Sequence, residues 1–236
     1  MALIGGSWLE PVRGEILGYK YIYIGSRNSY TLLLLHGTGG SEEDLVPLAR
    51  AIDPGAGILS PRGKVVENGM LRFFRRLAPG VYDLDDLKYR AEELGDFIEI
   101  ASHQHGFDRS RLIALGYSNG ANIAIATMLL RPGSMAGAIL IRPYFPVDLG
   151  VKPDLKGKEI LITAGEKDPI APLGSVLELG EKLKALGASV ELKVIAADHG
   201  IVRSDIETIK TWLPKTYGKI KSRPGKPDPS SLADIY

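Results

Sequence analysis

The sequence has 236 residues, of which 44% are hydrophobic and 24% are charged, so it is long enough for one large α/β domain with a substantial core. Its net charge of +1 gives no support for nucleic-acid binding, and the absence of cysteine excludes disulfides, thiolate metal sites and a cysteine nucleophile. No apolar run approaches the about 18 residues of a membrane span, and the N-terminal stretch lacks the pattern of a secretion signal. We therefore expect a cytoplasmic protein with no membrane span and no nucleic-acid partner.

The first half of the chain begins with strands. Residues 16–24 alternate aromatic and aliphatic side chains and predict one or two strands near a sheet edge. Thr31–Leu35 is a continuous apolar run, typical of a central parallel strand that is covered on both faces. A glycine-rich loop follows at 36–40, and Ser41 is expected to cap a helix that runs to residue 52. The other elements predicted in this half are a strand at 57–60 and an amphipathic helix at 83–105.

Residues 63–80 lie between that strand and that helix and show no clean period. They contain three large apolar side chains, Met70, Phe73 and Phe74, interleaved with arginines. A segment of this length between a strand and a helix is typical of a cap or lid. We expect these three residues, together with Ile170, to form the wall of a substrate pocket, and a plain core role for the phenylalanines is the alternative.

The second half alternates strands and helices, which predicts a mostly parallel, doubly wound sheet with helices on both faces. The chain is therefore of the α/β class, with a single domain at residues 1–218. The tail, residues 219–236, is rich in proline, serine and charge, so it is expected to be loosely ordered or to dock on a partner subunit. The elements predicted in this half are strands at 111–115, 136–141, 159–163 and 190–195, and helices at Asn119–Leu130, 173–186 and 203–213, the last stopped by Pro214.

One of these junctions between a strand and a helix carries a nucleophile motif. The stretch Gly116-Tyr117-Ser118-Asn119-Gly120 matches G-x-S-x-G, and it lies where a strand turns sharply into a helix. A serine at such a turn has a strained backbone and an exposed hydroxyl. The glycines on either side must lack a Cβ, because side chains there would collide with the adjoining strand and helix. We therefore expect Ser118 to be a nucleophile rather than an ordinary turn residue.

Asp168 and His199 each come directly after a separate predicted strand. Parallel strands bring their carboxyl ends to one edge of the sheet, where ligands bind, so both residues are expected to meet Ser118. His199 would take the serine proton and return it to the leaving group, and Asp168 would orient the imidazole ring. Asp198, beside His199, is the alternative acid.

The negative charge that develops on the carbonyl oxygen in such a reaction needs backbone donors. The N–H of Asn119, directly after the serine, is expected to be one of them. The second is expected in the glycine-rich loop after Leu35, where the N–H of Thr38 is the best candidate.

The remaining histidines have structural interpretations. His36 is expected to shape its loop by hydrogen bonds to the backbone. His103 and His105 form an H-x-H pair near a helix end, where they favour the helix dipole, and no carboxylate partner for a metal is evident. We therefore expect no metal and no cofactor.

The stretches LLLLHGTGG, SPRG, GYSNGANIA, TAGEKDPI and DHGI together resemble the carboxylesterase/phospholipase group of the α/β-hydrolases. Within this group, the chain resembles small bacterial serine esterases akin to the acyl-protein thioesterases and the dienelactone-hydrolase-like enzymes. The resemblance implies the α/β-hydrolase fold, ester hydrolysis, an oxyanion hole at Thr38 and Asn119, and often a homodimer. Acyl-protein thioesterases usually carry Leu and Gln at these two positions, and dienelactone hydrolases use a cysteine nucleophile.

The residues and the resemblance favour a serine carboxylesterase that cleaves short- to medium-chain esters of small molecules through an acyl-enzyme. Thioesterase or lysophospholipase activity is an alternative. A non-catalytic ligand-binding protein on the same fold is the alternative of another class. Arg72, Arg75 and Arg76 add a third variant, an anionic substrate such as an ester bearing a carboxylate, although arginines in a lid are commonly solvated.

Overall fold

The computed structural model describes residues 10–28 and 30–221, which form a central sheet, two small hairpins and the helices around them. The strands are β1 (Val12–Ile16), β2 (Tyr19–Ile24), β3 (Thr31–Leu35), β4 (Gly57–Pro61), β5 (Val65–Glu67), β6 (Met70–Arg72), β7 (Arg76–Ala78), β8 (Val81–Tyr82), β9 (Leu112–Tyr117), β10 (Gly137–Ile141), β11 (Glu159–Gly165) and β12 (Ser189–Ile195). The α-helices are α1 (Val46–Ile52), α2 (Leu84–His105), α3 (Asn119–Leu130), α4 (Leu173–Ala185) and α5 (Arg203–Lys221).

The central sheet has eight strands in the order β1-β2-β4-β3-β9-β10-β11-β12. The pairs from β4 across to β12 are parallel, whereas β2 is antiparallel to both β1 and β4. The apolar run of β3 is buried along its whole length in the middle of this sheet. The mostly parallel sheet is thus confirmed, and the alternating stretch 16–24 belongs to an antiparallel hairpin at its edge.

Helices cover both faces of the sheet, as the alternation of elements predicted. On one face, α2, α3 and α4 pack over a core that includes Leu94, Phe97 and Leu179. On the other face, α1 and α5 pack together over a second core with Ile52 and Trp212. Strands buried on both faces are apolar at most positions, which explains their nearly continuous hydrophobic runs. In the described part of the chain, no helix combines the length and the apolar character needed to cross a bilayer.

The first helix begins later than predicted because of a proline. α1 starts at Val46, and residues 42–45 form turns instead of the helical turn expected after Ser41. Pro47 has no N–H to donate to the carbonyl four residues earlier, so a helix cannot extend back through this position without losing a bond. Ser41 is still an acceptor, for the backbone N–H of Glu43 at 3.2 Å.

The last helix, by contrast, runs through a proline that was expected to stop it. α5 continues past Pro214 to Lys221, so it also passes the predicted start of the tail at residue 219. Leu213 and Thr216 are buried on either side of the proline, and this packing holds the helix together despite the missing hydrogen bond. The rest of the predicted tail, residues 222–236, lies outside the described residues.

The segment without a clean period forms two short hairpins, β5–β6 and β7–β8, which we call the hairpin segment (residues 65–82). Asn68 and Gly69 make the first turn, with φ angles of 52° and 77°, the left-handed pair that suits a two-residue hairpin turn. The strands have only two or three residues each, too few to give a repeated pattern in the sequence. The N–H of Gly39 donates to the carbonyl of Leu71 at 2.8 Å, so the segment is tied to the loop after β3.

Candidate active site

Ser118 occupies the sharp turn between β9 and α3, with φ +51° and ψ −113°. A positive φ is strained for a residue with a side chain and persists only where the surroundings hold it. Here its N–H donates to the carbonyl of Ile141 at 2.9 Å. The flanking glycines are sterically required, since a Cβ on Gly120 would lie 1.8 Å from the carbonyl oxygen of Leu35, and one on Gly116 would lie 2.6 Å from the carbonyl oxygen of Gly120.

Ser118, Asp168 and His199 follow three different strands, β9, β11 and β12, and their side chains lie within hydrogen-bond distance in the order Ser118, His199, Asp168. His199 Nε2 lies 2.9 Å from Ser118 Oγ, and His199 Nδ1 lies 2.8 Å from Asp168 Oδ2. A carboxylate can only accept, so Nδ1 carries the proton and Nε2 is left to accept from the serine hydroxyl. The other oxygen of Asp168 accepts the N–H groups of Ile170 and Ala171 at 2.8 and 3.0 Å, which fixes the carboxylate plane.

The structure separates Asp168 from the alternative acid, Asp198. The carboxylate of Asp198 accepts the N–H of Gly200 at 2.9 Å and so closes the loop around His199 rather than contacting its ring. Asp168, by contrast, is almost fully buried behind the imidazole. The geometry thus pairs His199 with Asp168.

The loop that carries His199 is held by a buried arginine that the sequence analysis missed. Arg142 Nε donates to the carbonyl of Asp198 at 3.0 Å, and its Nη2 donates to the carbonyl of Gly200 at 3.1 Å. Tyr117 donates its hydroxyl to the carbonyl of His199 itself at 3.2 Å. Three successive carbonyls around the imidazole therefore have side-chain donors, which restricts where the ring can lie.

Arg142 is itself fixed by a carboxylate. Its Nη1 and Nη2 contact Asp205 Oδ1 and Oδ2 at 2.8 and 2.9 Å, and both side chains are fully buried. The backbone of Arg142 has a φ of +52°, directly after β10. One sequence signal was available: Arg142 is a charged residue at the end of the apolar run of a predicted core strand, where an unpaired charge would be costly.

The glycine-rich loop after β3 is shaped by His36, in agreement with the role expected for it. His36 Nδ1 lies 2.7 Å from the carbonyl of Gly37, and its Nε2 accepts the N–H of Gly63 at 2.9 Å. Within the described chain, the backbone N–H groups of Thr38 and Asn119 have no protein acceptor. Both residues line the same cavity as Ser118.

That cavity has a volume of about 310 Å³ and two walls of different construction. We call the part of the lining formed by Tyr117, Ser118 and His199 the nucleophile wall, after the role predicted for Ser118 from its sequence motif. The part of the lining formed by Arg72, Arg76 and Tyr82 of the hairpin segment is called the hairpin wall. Burial raises the pKa of Tyr82 well above its ordinary value, so it remains protonated as a hydrogen-bond donor. Its hydroxyl donates to the carbonyl of Tyr144.

Of the four residues expected to line the pocket, only Ile170 does so. Phe73 and Phe74 are fully buried in the main core, where their rings pack on His36 and Tyr82 respectively. Met70 is 39% exposed and packs near Gly39 on the outside of the loop. The expectation for these three residues is therefore corrected: burial of the aromatic rings in the core leaves the arginines of the same segment at the cavity.

Two asparagines tie α3 to the hairpin segment. Asn119 Oδ1 accepts the N–H of Phe73 at 2.8 Å, and Asn122 Nδ2 donates to the hydroxyl of Tyr82 at 2.9 Å. Asn122 Oδ1 accepts the N–H of Tyr144 at 2.9 Å. The amide Nδ2 of Asn119 is buried and has no partner among the described residues.

The H-x-H pair at the end of α2 lies away from this cavity. His105 Nε2 is 3.0 Å from the hydroxyl of Tyr21, and its ring stacks on Tyr23 with centroids 4.1 Å apart. Burial lowers the pKa of His105. Among residues 10–28 and 30–221, no group of three or more His, Asp or Glu side chains is arranged to hold a metal ion.

Comparison with known proteins gives matches along most of the chain. The Phospholipase/Carboxylesterase family matches residues 22–217. MhqD of Bacillus subtilis (strain 168), whose name assigns it to the hydrolases, is 44% identical over 193 residues, which cover 82% of this chain and 96% of MhqD.

Two solved structures of carboxylesterases are also similar. The crystal structure of the Bacillus cereus carboxylesterase has 40% identity and a TM-score of 0.82, covering 85% of this chain and 95% of that one. The carboxylesterase from Mesorhizobium loti has 33% identity and a TM-score of 0.82, covering 86% and 98%. The chain described here therefore belongs to the phospholipase/carboxylesterase family and has the α/β-hydrolase fold.

Proposed function

We propose that this protein is a serine carboxylesterase that hydrolyses short- to medium-chain esters of small molecules through an acyl-enzyme. The observation that carries the proposal is the continuous chain of contacts from Asp168 through His199 to Ser118, at 2.8 and 2.9 Å, with the serine facing a cavity. A serine hydroxyl is a weak nucleophile until a base takes its proton, and this arrangement supplies the base and its orienting carboxylate.

In the first half of the reaction, Ser118 Oγ attacks the ester carbonyl carbon while His199 Nε2 takes the hydroxyl proton. The carbonyl oxygen becomes an oxyanion, which accepts the free N–H groups of Thr38 and Asn119. The bond to the alcohol oxygen then breaks, and His199 returns the proton to the departing alcohol. Ser118 is left as an acyl ester.

In the second half, a water molecule gives a proton to His199 and attacks the acyl carbon. The bond to Ser118 Oγ breaks, the serine recovers its proton and the carboxylic acid leaves. Loss of one oxyanion donor costs about 2.7–4 kcal/mol of transition-state stabilisation in comparable sites, so the positions of both backbone N–H groups are central to the proposal.

The size of the cavity favours short esters over the alternative substrates. Its volume of about 310 Å³ is at the lower end of the range typical of small-molecule sites. Thioesters and lysophospholipids with long acyl chains need a deep apolar channel, whereas this cavity has tyrosine and arginine side chains on its walls. A non-catalytic ligand-binding role would leave the alignment of Ser118 and His199 without a purpose.

The experiment compares the wild-type protein with Ser118→Ala on 4-nitrophenyl esters of two to sixteen carbons. We expect hydrolysis to peak at short or medium chains and to fall by about 10⁴-fold or more in Ser118→Ala. Ser204→Ala, a serine exposed on α5, is the matched control and should retain the wild-type rate. A Ser118→Ala rate equal to the wild-type rate would overturn the proposal, and a peak at long chains would favour the lysophospholipase alternative.

The oligomer and the location are also part of this proposal. A homodimer is favoured because β12 ends the sheet with no second partner among the described strands. Sedimentation velocity at micromolar concentration tests the dimer, and cell fractionation tests the cytoplasmic location. A monomer or a secreted protein would contradict these two expectations without affecting the chemistry proposed for Ser118.

A further inference from the structure

The two arginines of the hairpin wall, Arg72 and Arg76, both contact the carboxylate of Glu67. Arg76 Nε donates to Glu67 Oε1 at 2.7 Å, and Arg72 Nε lies 3.4 Å from Glu67 Oε2. Both arginines line the same cavity as Ser118. In the part of the chain that the structure describes, Glu67 is the one carboxylate within salt-bridge distance of either guanidinium. The cluster of Arg72, Arg76 and Glu67 therefore has a net charge of +1.

The two arginine side chains that carry this net positive charge are largely shielded from solvent. The side chain of Arg72 is only 4% exposed, and that of Arg76 is 27% exposed. Burial and the neighbouring charge of Arg76 both lower the pKa of Arg72, so the two like charges destabilise each other at this site. A buried positive charge without a full counterion is costly, and a bound anion would remove that cost.

The same part of the cavity has an excess of hydrogen-bond donors. Arg72 Nη1 donates to Thr38 Oγ1 at 2.6 Å, but within the described residues its Nη2 and both Nη atoms of Arg76 have no hydrogen-bond acceptor. A ligand that satisfies these groups must offer acceptor oxygens, and paired guanidiniums match the geometry of a carboxylate or a phosphate.

We propose that the esters hydrolysed at this site carry a second acidic group, a carboxylate, that is bound by Arg72 and Arg76 while Ser118 attacks the ester carbonyl. This inference rests on the function proposed above and specifies its substrate class. A carboxylate is preferred to a phosphate because its single negative charge equals the net charge of the cluster, whereas a phosphate group carries about −1.5 to −2 at neutral pH.

A third arginine of the segment serves as a built-in control. Arg75 is 61% exposed on its side chain and pairs with Asp83 at 2.6 Å, and it does not line the cavity. It lies three residues after Arg72 and directly before Arg76 in the sequence. Removing its charge changes the net charge of the protein by the same amount without changing the cavity.

The test uses three 4-nitrophenyl esters whose acyl chains differ only at the far end. Pentanoate ends in a methyl group, hydrogen glutarate in a carboxylate, and 4-phosphonobutanoate in a phosphonate. A second pair moves the charge to the leaving group, with 3-carboxyphenyl pentanoate compared with phenyl pentanoate. All rates are corrected for hydrolysis without enzyme, because a nearby carboxylate accelerates that reaction.

We expect kcat/KM for the carboxylate ester of at least one pair to exceed that of its neutral partner by about tenfold, the effect of one charge-assisted hydrogen bond. In Arg76→Gln this ratio should fall towards one, whereas in Glu67→Gln it should rise, since the competing carboxylate is gone. Arg75→Gln should keep both the wild-type rates and the wild-type ratio. Thermal unfolding of each variant checks that it folds.

The outcomes separate this inference from the function on which it rests. If no ester is hydrolysed by the folded wild-type protein, the proposed function fails. If the neutral esters are hydrolysed but the ratio is near one in both pairs, or is unchanged in Arg76→Gln, the recognition of a carboxylate is overturned. A phosphonate ester that is cleaved faster than the glutarate ester would overturn the choice of carboxylate.

Discussion

The two walls of the cavity are built by different means. The nucleophile wall is fixed through its backbone: Ser118 has a positive φ, a Cβ on Gly120 would collide with the carbonyl of Leu35, and three backbone carbonyls around His199 have side-chain donors. The hairpin wall is formed by the side chains of two arginines and a tyrosine on strands of two or three residues. Under the function proposed above, the chemistry would depend on the backbone of the fold, whereas the selection of substrate would depend on the side chains of the hairpin wall.

The largest effect is expected at Arg142, which holds the loop that carries His199 of the nucleophile wall. Arg142→Met leaves Asp205 as a buried, unpaired carboxylate, so the free energy of unfolding should fall by about 3–5 kcal/mol. The carbonyls of Asp198 and Gly200 also lose their donors. Urea denaturation and ester hydrolysis at saturating substrate measure the two effects separately.

A double variant distinguishes positioning of His199 from general stability. Arg142→Met combined with Asp205→Leu removes both buried charges, and we expect it to recover most of the stability that Arg142→Met loses. Its kcat should nevertheless remain about 10²-fold below that of the wild type, because the loop around His199 is no longer held. A double variant with full kcat would show that Arg142 acts through stability alone.

The next effect is expected at the turn that carries the serine. Gly120→Ala places a Cβ 1.8 Å from the carbonyl oxygen of Leu35, and backbone on both sides must move, so we expect a loss of about 3 kcal/mol together with loss of activity. Gly174→Ala in α4 is the control, since its Cβ meets no atom within 4 Å and alanine favours a helix. Equal stability of the two variants would contradict the steric account of the motif.

A smaller effect is expected at His36, which joins the loop after β3 to the start of the hairpin segment. Burial lowers the pKa of His36 below its ordinary value of about 6.5. The unfolded chain therefore binds a proton at a higher pH than the folded protein does, and stability should decrease as the pH falls below about 6.5. Protonation of Nε2 would also break the bond from the N–H of Gly63.

The measurement for His36 is the free energy of unfolding between pH 7.5 and 5.5, in the wild type and in His36→Gln. We expect the wild type to lose on the order of 1 kcal/mol more than the variant over this range, since one pKa unit corresponds to about 1.4 kcal/mol. Because the pKa of His105 is also lowered by burial, only the difference between the two curves is informative. Parallel curves would contradict the assignment.

Features that depend on local pattern could be predicted from the sequence. Thr31–Leu35 and Asn119–Leu130 have the bounds that their apolar runs indicated, and the order of the elements fixed the parallel sheet. Once the sheet was parallel, its carboxyl edge had to bring Ser118, Asp168 and His199 close together. These inferences needed no knowledge of which side chains touch.

Features that depend on contacts between distant parts of the chain could not be predicted in the same way. The pairing of Arg142 with Asp205 joins residues 63 positions apart, and the burial of Phe73 and Phe74 depends on core contacts that no local pattern specifies. Pro214 lies inside a helix because tertiary packing outweighs its local preference. The Asn68-Gly69 turn, however, is a sequence signal for a hairpin, and it could have revealed the first hairpin of the segment.

The most direct test of the central claim is covalent labelling of the wild-type protein with a fluorophosphonate, followed by peptide mass spectrometry. An activated serine forms the adduct through its oxygen, so we predict one adduct, on Ser118, which is prevented by heat unfolding and absent in His199→Ala. His103→Ala, an exposed histidine on α2, should label as the wild type does. An adduct on another residue, or ester hydrolysis by a protein whose Ser118 is never labelled, would contradict the account.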